Sequence, residues 1–173
     1  MEIKKVILSR TKATIEYVDD QGNNITHKGE YMPHVDFTTA VASLIPHFAE
    51  LTEQAEVVPF DADTLEAPSK EQMLQNLHVS GFTLKTTDNG TKVVIKGSRT
   101  LTTGKTLKLE SPACGLEDGD YKQEQELNEA IDAVCMEAEA YFQGKHGDIV
   151  QKSLFDDNED PFGDGPEATD SVE

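Results

Sequence analysis

The sequence predicts an α+β fold in which antiparallel sheets pack against two main helices. Three observations predict it. Apolar residues alternate with polar ones over residues 2–31 and 78–110, as in half-buried strands, and recur at helical spacing over 35–51 and 120–143. Two segments rich in turn-forming residues divide the strand regions, and the order strand-strand-strand-helix occurs twice along the chain.

The first three predicted strands span residues 2–10, 13–18 and 25–31. In the first, Ile3, Val6 and Leu8 are the apolar members; in the second, Ile15 and Tyr17 alternate with polar residues. Residues 19–24 tolerate turn dihedrals, so we expect them to close a hairpin between the second and third strands.

A helix is predicted over residues 35–51. Asp36 is its expected cap, and Pro46 should kink or split it, because proline removes a backbone donor and clashes with the preceding turn. The apolar stripe of this helix consists of Phe37, Val41, Leu44, Phe48 and Leu51.

Residues 56–68 form a connector without periodicity. Ser69 and Gln72 have capping-box spacing, which predicts a short helix through Leu77. Strands are then predicted over 78–85, 91–101 and 105–110, with a bulge at Gly81 and a tight hairpin at Asp88-Asn89-Gly90.

A long second helix is predicted to begin at Asp120 and to stop at Gly144. Its apolar stripe consists of Leu127, Ile131, Val134, Cys135, Ala138, Tyr141 and Phe142.

These elements predict a folded body over residues 1–148 and an acidic tail over 149–173 that we expect to have no fold of its own. The body divides into halves 1–56 and 69–144, which are either an internal structural duplication or unrelated parts of one α+β domain. A strand-rich unit followed by a helix, used twice over residues 2–143, resembles the Whirly and PUR families of single-stranded nucleic-acid-binding proteins.

The formal net charge of −18 is unevenly distributed. Residues 117–173 hold 18 acids and 3 bases, and the last 18 residues hold eight acids and no base. Residues 83–110, by contrast, carry a net charge of +4 and residues 1–12 one of +3. We therefore expect cations on the strands and anions on the helices and tail.

Period-two alternation predicts a sheet face that carries Lys92, Lys96 and Ser98, with Val93 and Ile95 on the other side. Such a face suits a phosphate backbone, because several ammonium groups can neutralise phosphates without reading sequence. The alternative is an ordinary solvated sheet face with lysines for solubility. The candidate nucleic-acid-binding residues are Lys4, Lys5, Lys85, Lys92, Lys96, Arg99, Lys105 and Lys108.

A single-strand binder also needs aromatic rings on which bases stack. Tyr17, Tyr31 and Phe82 are the aromatic residues of the predicted strands, and we expect each to be buried in the core.

The segment Gln151-Lys152-Ser153-Leu154-Phe155 resembles the peptide by which bacterial replication and repair proteins bind the β sliding clamp. That pattern is Gln, any residue, Ser or Asp, Leu, Phe, and all four defined positions match. The resemblance implies that Leu154 and Phe155 fill an apolar pocket while Gln151 makes amide hydrogen bonds at its rim, and it makes Ser153 a further partner-binding residue. The alternative is a buried core segment that closes the fold.

The acidic residues that follow, with Pro161 and Phe162, resemble the tail tip of bacterial single-stranded-DNA-binding proteins. In those proteins the Phe ends the chain, whereas here eleven residues follow Phe162. Such a tail can bind a partner, compete with nucleic acid for the cationic face, or simply keep the protein soluble.

No catalytic, metal or cofactor motif is found, so we expect a protein that is not an enzyme, with no cofactor and no metal site. The acid pairs Asp61/Asp63 and Asp118/Asp120 have the chemistry to bind a divalent cation, but their loop-like contexts favour solvated acids. Cys114 and Cys135 are expected to be buried, reduced thiols. With no export signal and no membrane-spanning run, a cytoplasmic location is expected, in a bacterial host if the chain comes from a bacteriophage.

The sequence thus predicts a single-stranded-DNA-binding or accessory protein of DNA replication or recombination. Single-stranded DNA and a β sliding clamp or other replisome protein are its expected partners; the sequence leaves homo-oligomerisation open. One rival is an acidic DNA mimic that inhibits a host DNA-binding protein, favoured by the acids of the long helix. A third interpretation is a virion or assembly scaffold.

Overall fold

A computed structural model describes residues 1–54, 74–88 and 90–147, and over these residues the chain has the predicted α+β class. An antiparallel sheet of seven strands is packed on one face against three helices. The strands are β1 (Glu2–Leu8), β2 (Ala13–Val18), β3 (Asn24–Lys28), β4 (Leu77–Thr87), β5 (Gly90–Thr100), β6 (Thr106–Glu110) and β7 (Cys114–Gly115). The helices are α1 (Val35–Ala42), α2 (Ile45–Leu51) and α3 (Glu124–Phe142).

The sheet has the strand order β3-β2-β1-β4-β5-β6, and β7 pairs with the free part of the β5 edge. Each strand triplet is therefore a meander, and the two meanders meet where β1 and β4 pair antiparallel. The registered pairs at this junction are Lys5 with Thr83, Val6 with Phe82 and Ile7 with Gly81. Both halves contribute to one sheet; their origin by duplication stays a prediction.

Strand prediction was most accurate where alternation is regular. β2 has the predicted bounds and β5 differs from them by one residue at each end, whereas β3 ends three residues earlier than predicted. β7 was not predicted, because a two-residue strand shows no alternation. The hairpin between β4 and β5 is confirmed, with Thr87 paired to Gly90.

The predicted bulge at Gly81 is confirmed by a shift of register between Val79 and Gly81 in the β4–β5 pairing. Gly81 has a φ of +150°, a conformation that side-chain-bearing residues rarely adopt. A Cβ here would overlap the carbonyl oxygen of Val6 on β1. Glycine therefore allows β4 to approach β1 at the junction of the two meanders.

The predicted helix over 35–51 is two helices. Ser43 and Leu44 separate α1 from α2, and Pro46 lies in the first turn of α2, where its missing N–H costs no hydrogen bond. The N-cap of α1 is His34 rather than the predicted Asp36: His34 Nδ1 accepts from the backbone N–H of Asp36 at 3.2 Å.

The long helix begins at Glu124, four residues later than predicted. Gly119 has a positive φ of 71°, and its N–H donates to Glu124 Oε2 at 2.7 Å, so residues 119–123 form a turn that leads into α3. Its predicted end is confirmed: α3 ends at Phe142, and Gly144 follows with a φ of +96°.

The core lies between the sheet and the helices. Both predicted helical stripes face it, together with the inward members of the central strands. The most completely buried large side chains are Val6, Ile15, Phe37, Leu44, Phe48, Phe82, Val93, Ile95, Leu127, Val134 and Tyr141. Within the described residues all three helices pack on this one face, and none covers the other face.

Several predictions fall outside the described residues. They are the connector 56–68, the capping box at Ser69 and Gln72, and the tail 149–173 with its clamp-like and acidic motifs. Leu77, the predicted end of the short helix, is instead the first residue of β4. Of the helices in the described residues, none has the length and apolar character that crossing a bilayer requires.

Candidate nucleic-acid interface

The sheet face that turns away from the helices is rich in lysine. Cross-strand register puts these lysines on one side, because residues paired in an antiparallel ladder point to the same face. We call this surface the lysine face; it carries Lys5, Lys28, Lys85, Lys92, Lys96 and Lys108. Glu2, Glu16 and Glu110 are its acidic residues, so cations predominate.

One row of registered residues crosses the whole sheet. It begins at Lys28 on the β3 edge, passes through Thr14, Ile7, Gly81 and Lys96, and ends at Glu110 on β6. Six strands about 4.8 Å apart make this row roughly 24 Å long. Lys85 and Lys92 face each other across β4 and β5, two residue pairs beyond Thr83 and Val94. The lysines therefore span the sheet instead of clustering at one edge.

Two of the six lysines are paired with carboxylates of the same face. Lys5 Nζ lies 2.6 Å from Glu16 Oε1, and Lys96 Nζ lies 3.2 Å from Glu110 Oε1. No ion pair among the described residues involves the other four, Lys28, Lys85, Lys92 and Lys108. Those four are the cations most available to a ligand, because a paired lysine must first leave its carboxylate before it can bind elsewhere.

The lysine face contains a shallow depression of about 460 Å³. It lies over β1, β4, β5 and β6, where Ser80, Ser98 and Thr106 supply hydroxyl groups beside the cations. Its lining is Lys5, Ile7, Ser80, Lys96, Gly97, Ser98, Thr106, Lys108, Leu109 and Glu110. Hydroxyl and ammonium donors together suit the oxygens of a phosphate group.

The structure brings five of the eight predicted residues onto this face: Lys5, Lys85, Lys92, Lys96 and Lys108. Arg99 lies on the helix side, in register with the buried Leu77, and its Nη1 donates to Gln54 Oε1 at 2.9 Å. Lys105 lies in the β5–β6 turn, where its carbonyl accepts from Leu101 N–H. Lys4 is the residue at the β1 irregularity, and it bonds to Glu2 and Thr86.

The expectation that all three strand aromatics are buried was wrong for Tyr31. Phe82 is fully buried, and Tyr17 is half-buried with its ring 5.3 Å from Phe142. Tyr31 lies beyond the end of β3, is 53% exposed, and stacks on His146 with a centroid distance of 4.3 Å. The early end of β3 takes Tyr31 out of the sheet and leaves its ring at the surface.

The opposite layer of the molecule is acidic. α3 has six carboxylates and no lysine or arginine; they are Glu124, Glu126, Glu129, Asp132, Glu137 and Glu139. Lys145 offsets part of this charge, because its Nζ lies 2.7 Å from Asp36 and 2.9 Å from Glu137. Hydrogen bonding to Lys145 lowers the pKa of Asp36. The predicted segregation of charge is thus present over the described residues.

The buried polar groups of His47 and Tyr121 are partners of each other. His47 Nδ1 and Tyr121 Oη are 3.0 Å apart, and both residues are buried. Burial raises the pKa of the Cys114 thiol and raises that of Cys135 to about 12, so neither is activated as a thiolate.

The acid pair Asp118/Asp120 is joined by a hydrogen bond in which Asp118 Oδ1 accepts from the backbone N–H of Asp120. Over the described ranges, no cluster of three or more His, Cys, Asp or Glu side chains could hold a metal ion.

Sequence reasoning missed two parts of this surface. Lys28 alternates with Thr26 on β3, and period-two spacing was the signal that would have found it. The Tyr31–His146 pair joins residues 115 positions apart, and no local pattern indicates it. No family model matches the chain, and no curated protein or solved structure is significantly similar to it.

Proposed function

We propose that this protein binds single-stranded DNA through the lysine face as a non-enzymatic accessory protein of DNA replication or recombination. The observation that carries the proposal is that the described helices all pack on one side, so that none of them covers the sheet surface that bears six lysines. Many antiparallel sheets have one solvent-facing side, so that feature alone indicates nothing. A solvent-facing side rich in lysine, in a protein whose net charge is −18, is not expected from the needs of solubility alone.

The chemistry of the face suits a flexible polyanion. Lysine ammonium groups are mobile point charges that neutralise phosphates without base recognition, and the lysine face offers them from Lys28 on β3 to Lys108 on β6, over roughly 24 Å. The acidic layer on the other side repels nucleic acid, so that it favours approach by the lysine face. The resemblance of Gln151-Lys152-Ser153-Leu154-Phe155 to the clamp-binding peptide supports a place in replication.

The central experiment measures the binding of a labelled oligothymidine of about 16 nucleotides by fluorescence anisotropy as salt rises. A variant with Lys85, Lys92 and Lys108 all changed to Gln removes three of the four lysines of this face that we find outside ion pairs. Each lost phosphate contact should reduce the salt slope by about 0.7, so we expect a reduction of about 2.

The matched control changes Arg10, Lys12 and Lys122 to Gln, which removes the same charge from outside the lysine face. We expect this control to bind much more tightly than the lysine-face variant at every salt concentration. The proposal fails if the wild-type protein binds no oligonucleotide at low salt, or if the two variants lose affinity equally.

The tail provides a separate test of partner recruitment. Changing Leu154 and Phe155 to Ala should abolish capture of a bacterial β sliding clamp, because the two apolar anchors supply most of the affinity of so short a peptide. Lys152→Ala is the matched control, since Lys152 occupies the variable position of the pattern. Clamp capture that is unchanged in the double variant rules this role out.

Removal of residues 156–173 tests whether the tail competes with DNA. These residues contain eight acids, and we expect their removal to tighten oligonucleotide binding most strongly at low salt. An affinity that does not change on truncation would show that the tail does not compete for the lysine face.

The second candidate function is DNA mimicry, and the observation that favours it is the row of carboxylates on α3. An acidic helix can occupy the DNA-binding surface of another protein. This function predicts no oligonucleotide binding at any salt concentration. It also predicts that charge neutralisation on α3, such as Glu126→Gln with Glu129→Gln, weakens inhibition of a DNA-binding protein.

A further inference from the structure

A pocket of about 360 Å³ lies between the end of β3 and the C-terminal end of α3. Aromatic and imidazole rings form most of its lining: His27, Tyr31, Tyr141, Phe142 and His146. The charged residues Lys28 and Glu30 complete it. Several of these rings remain accessible: His27 and Tyr31 are exposed, and Phe142 and His146 are only partly buried. Rings whose sole role is to close the core would be covered.

The rings are held in place by contacts that do not depend on a ligand. Tyr141 Oη donates to the carbonyl oxygen of Tyr31 at 2.7 Å, and Gly147 N–H donates to the carbonyl of Met32 at 2.8 Å. His146 also forms an isolated β-bridge with Pro33. Because these contacts order the backbone on both sides of the pocket, a ligand would meet a preorganised surface.

The rings that line the pocket contact one another edge to face or in parallel. His27 meets Phe142 edge to face at 4.9 Å, and Tyr141 meets His146 in the same way at 4.8 Å. Tyr31 lies nearly parallel to His146, with 16° between the ring planes, and about half of its surface is exposed. A ring stacked on one side and open on the other is a platform for a further aromatic ring.

Lys28 connects this pocket to the lysine face. It begins the residue row that crosses the sheet, and it also lines the pocket. A strand whose phosphates cross the lysine face from β6 to β3 therefore reaches the pocket at Lys28. Glu30, beside Lys28, can accept a hydrogen bond from an N–H group of a base, such as N3–H of thymine.

We infer that the pocket receives an unpaired nucleobase of the strand bound on the lysine face. The base stacks on Tyr31, His146 supports Tyr31 from behind, and Lys28 neutralises the adjacent phosphate. This inference rests on the proposed function and adds to it a base-binding site, which a purely electrostatic surface does not have.

The test distinguishes binding of the bases from binding of the phosphates. Wild-type protein and two variants, Tyr31→Ala and Tyr31→Phe, are titrated with an oligothymidine and with an abasic oligonucleotide of equal length and charge. Tyr141 bonds to the main chain of Tyr31, so neither change removes that contact. Met32→Ala controls for the loss of an exposed apolar neighbour that does not line the pocket. Circular dichroism verifies folding of each variant.

We expect Tyr31→Ala to weaken binding of the oligothymidine by roughly 5- to 150-fold and to leave binding of the abasic strand unchanged. Tyr31→Phe keeps the ring and should bind both strands like the wild type, as should Met32→Ala. A 2-aminopurine base in the strand should be quenched by wild type and Tyr31→Phe but not by Tyr31→Ala.

Different failures are distinguishable. If Tyr31→Ala binds both strands like the wild type while the Lys85/Lys92/Lys108 variant loses affinity, the base pocket is wrong and the proposed function stands. If Tyr31→Ala weakens both strands equally, the ring acts through the fold and the inference is overturned. If wild-type protein binds neither strand at low salt, both the inference and the proposed function fail.

Discussion

His47 and Tyr121 are joined by a buried hydrogen bond, with 3.0 Å between His47 Nδ1 and Tyr121 Oη. The two residues lie 74 positions apart and are 7% and 8% exposed. The bond ties α2 to the segment that precedes α3, so it connects the helix that follows the first meander to the chain that follows the second. Burial raises the pKa of Tyr121 and lowers the pKa of His47, which keeps both partners neutral.

We expect Tyr121→Phe to lower the free energy of unfolding by about 1 to 3 kcal/mol, because it leaves buried His47 Nδ1 without this partner. Urea unfolding followed by circular dichroism measures the change. Tyr31→Phe is the control, since the Tyr31 hydroxyl makes no hydrogen bond to the described residues. Equal stability of wild type and Tyr121→Phe would mean that the bond contributes nothing.

Stability should decrease with acid through His47. Burial lowers the folded-state pKa of His47 below its ordinary 6.5, against the opposing effect of Glu50 and Glu126. The unfolded chain therefore binds the proton first, so the contribution is complete above pH 6.5 and is lost as the pH falls towards the folded-state pKa. Between about pH 7.5 and pH 5, His47→Gln should lose less free energy of unfolding than the wild type. Identical losses would contradict this assignment.

Gly81→Ala should be strongly destabilising. The new Cβ would overlap the Val6 carbonyl and would occupy a φ of +150°, so β4 must move away from β1. We expect a loss of about 3 kcal/mol or more in urea unfolding. Gly104→Ala is the matched control: its φ is +75° with open space around it, and it should cost only about 1 to 2 kcal/mol. Similar losses would show that the junction accommodates a side chain.

Removing two acids from the lysine face should strengthen DNA binding. Glu16→Gln combined with Glu110→Gln releases Lys5 and Lys96, and each can then contact a phosphate. The salt slope of oligonucleotide binding should become steeper by up to about 1.4, and stability should hardly change because exposed ion pairs are weak. Glu129→Gln with Asp132→Asn makes the same charge change on α3. An equal gain in that control would indicate a general charge effect.

The parts of the fold that sequence predicted correctly depend on local chemistry. Alternation and turn residues placed β2, β5 and the hairpin between β4 and β5, because a strand and a tight turn are specified by a few neighbouring residues. Alternation also placed Lys92, Lys96 and Ser98 on one face. The same alternation puts Arg99, the residue after Ser98, on the opposite face, and this is where the structure places it.

The parts that sequence did not predict depend on distant contacts. Tyr31 was expected in the core as an aromatic residue of the third predicted strand, but β3 stops at Lys28 and the ring meets His146 from the segment that follows α3. The N-cap of α1 is decided by the His34 ring and not by the usual carboxylate. The start of α3 is delayed by a turn at Gly119 that no periodicity reveals.

The separation of charge between the two layers has a consequence for a DNA strand that is covered by many copies of the protein. If the lysine face binds DNA as proposed, α3 with its six carboxylates points away from the DNA. A strand covered by many copies would exchange a surface of phosphates for one of protein carboxylates and would stay a polyanion. Basic proteins that track nucleic acid by charge would still be drawn to it, while the bases beneath would be out of their reach.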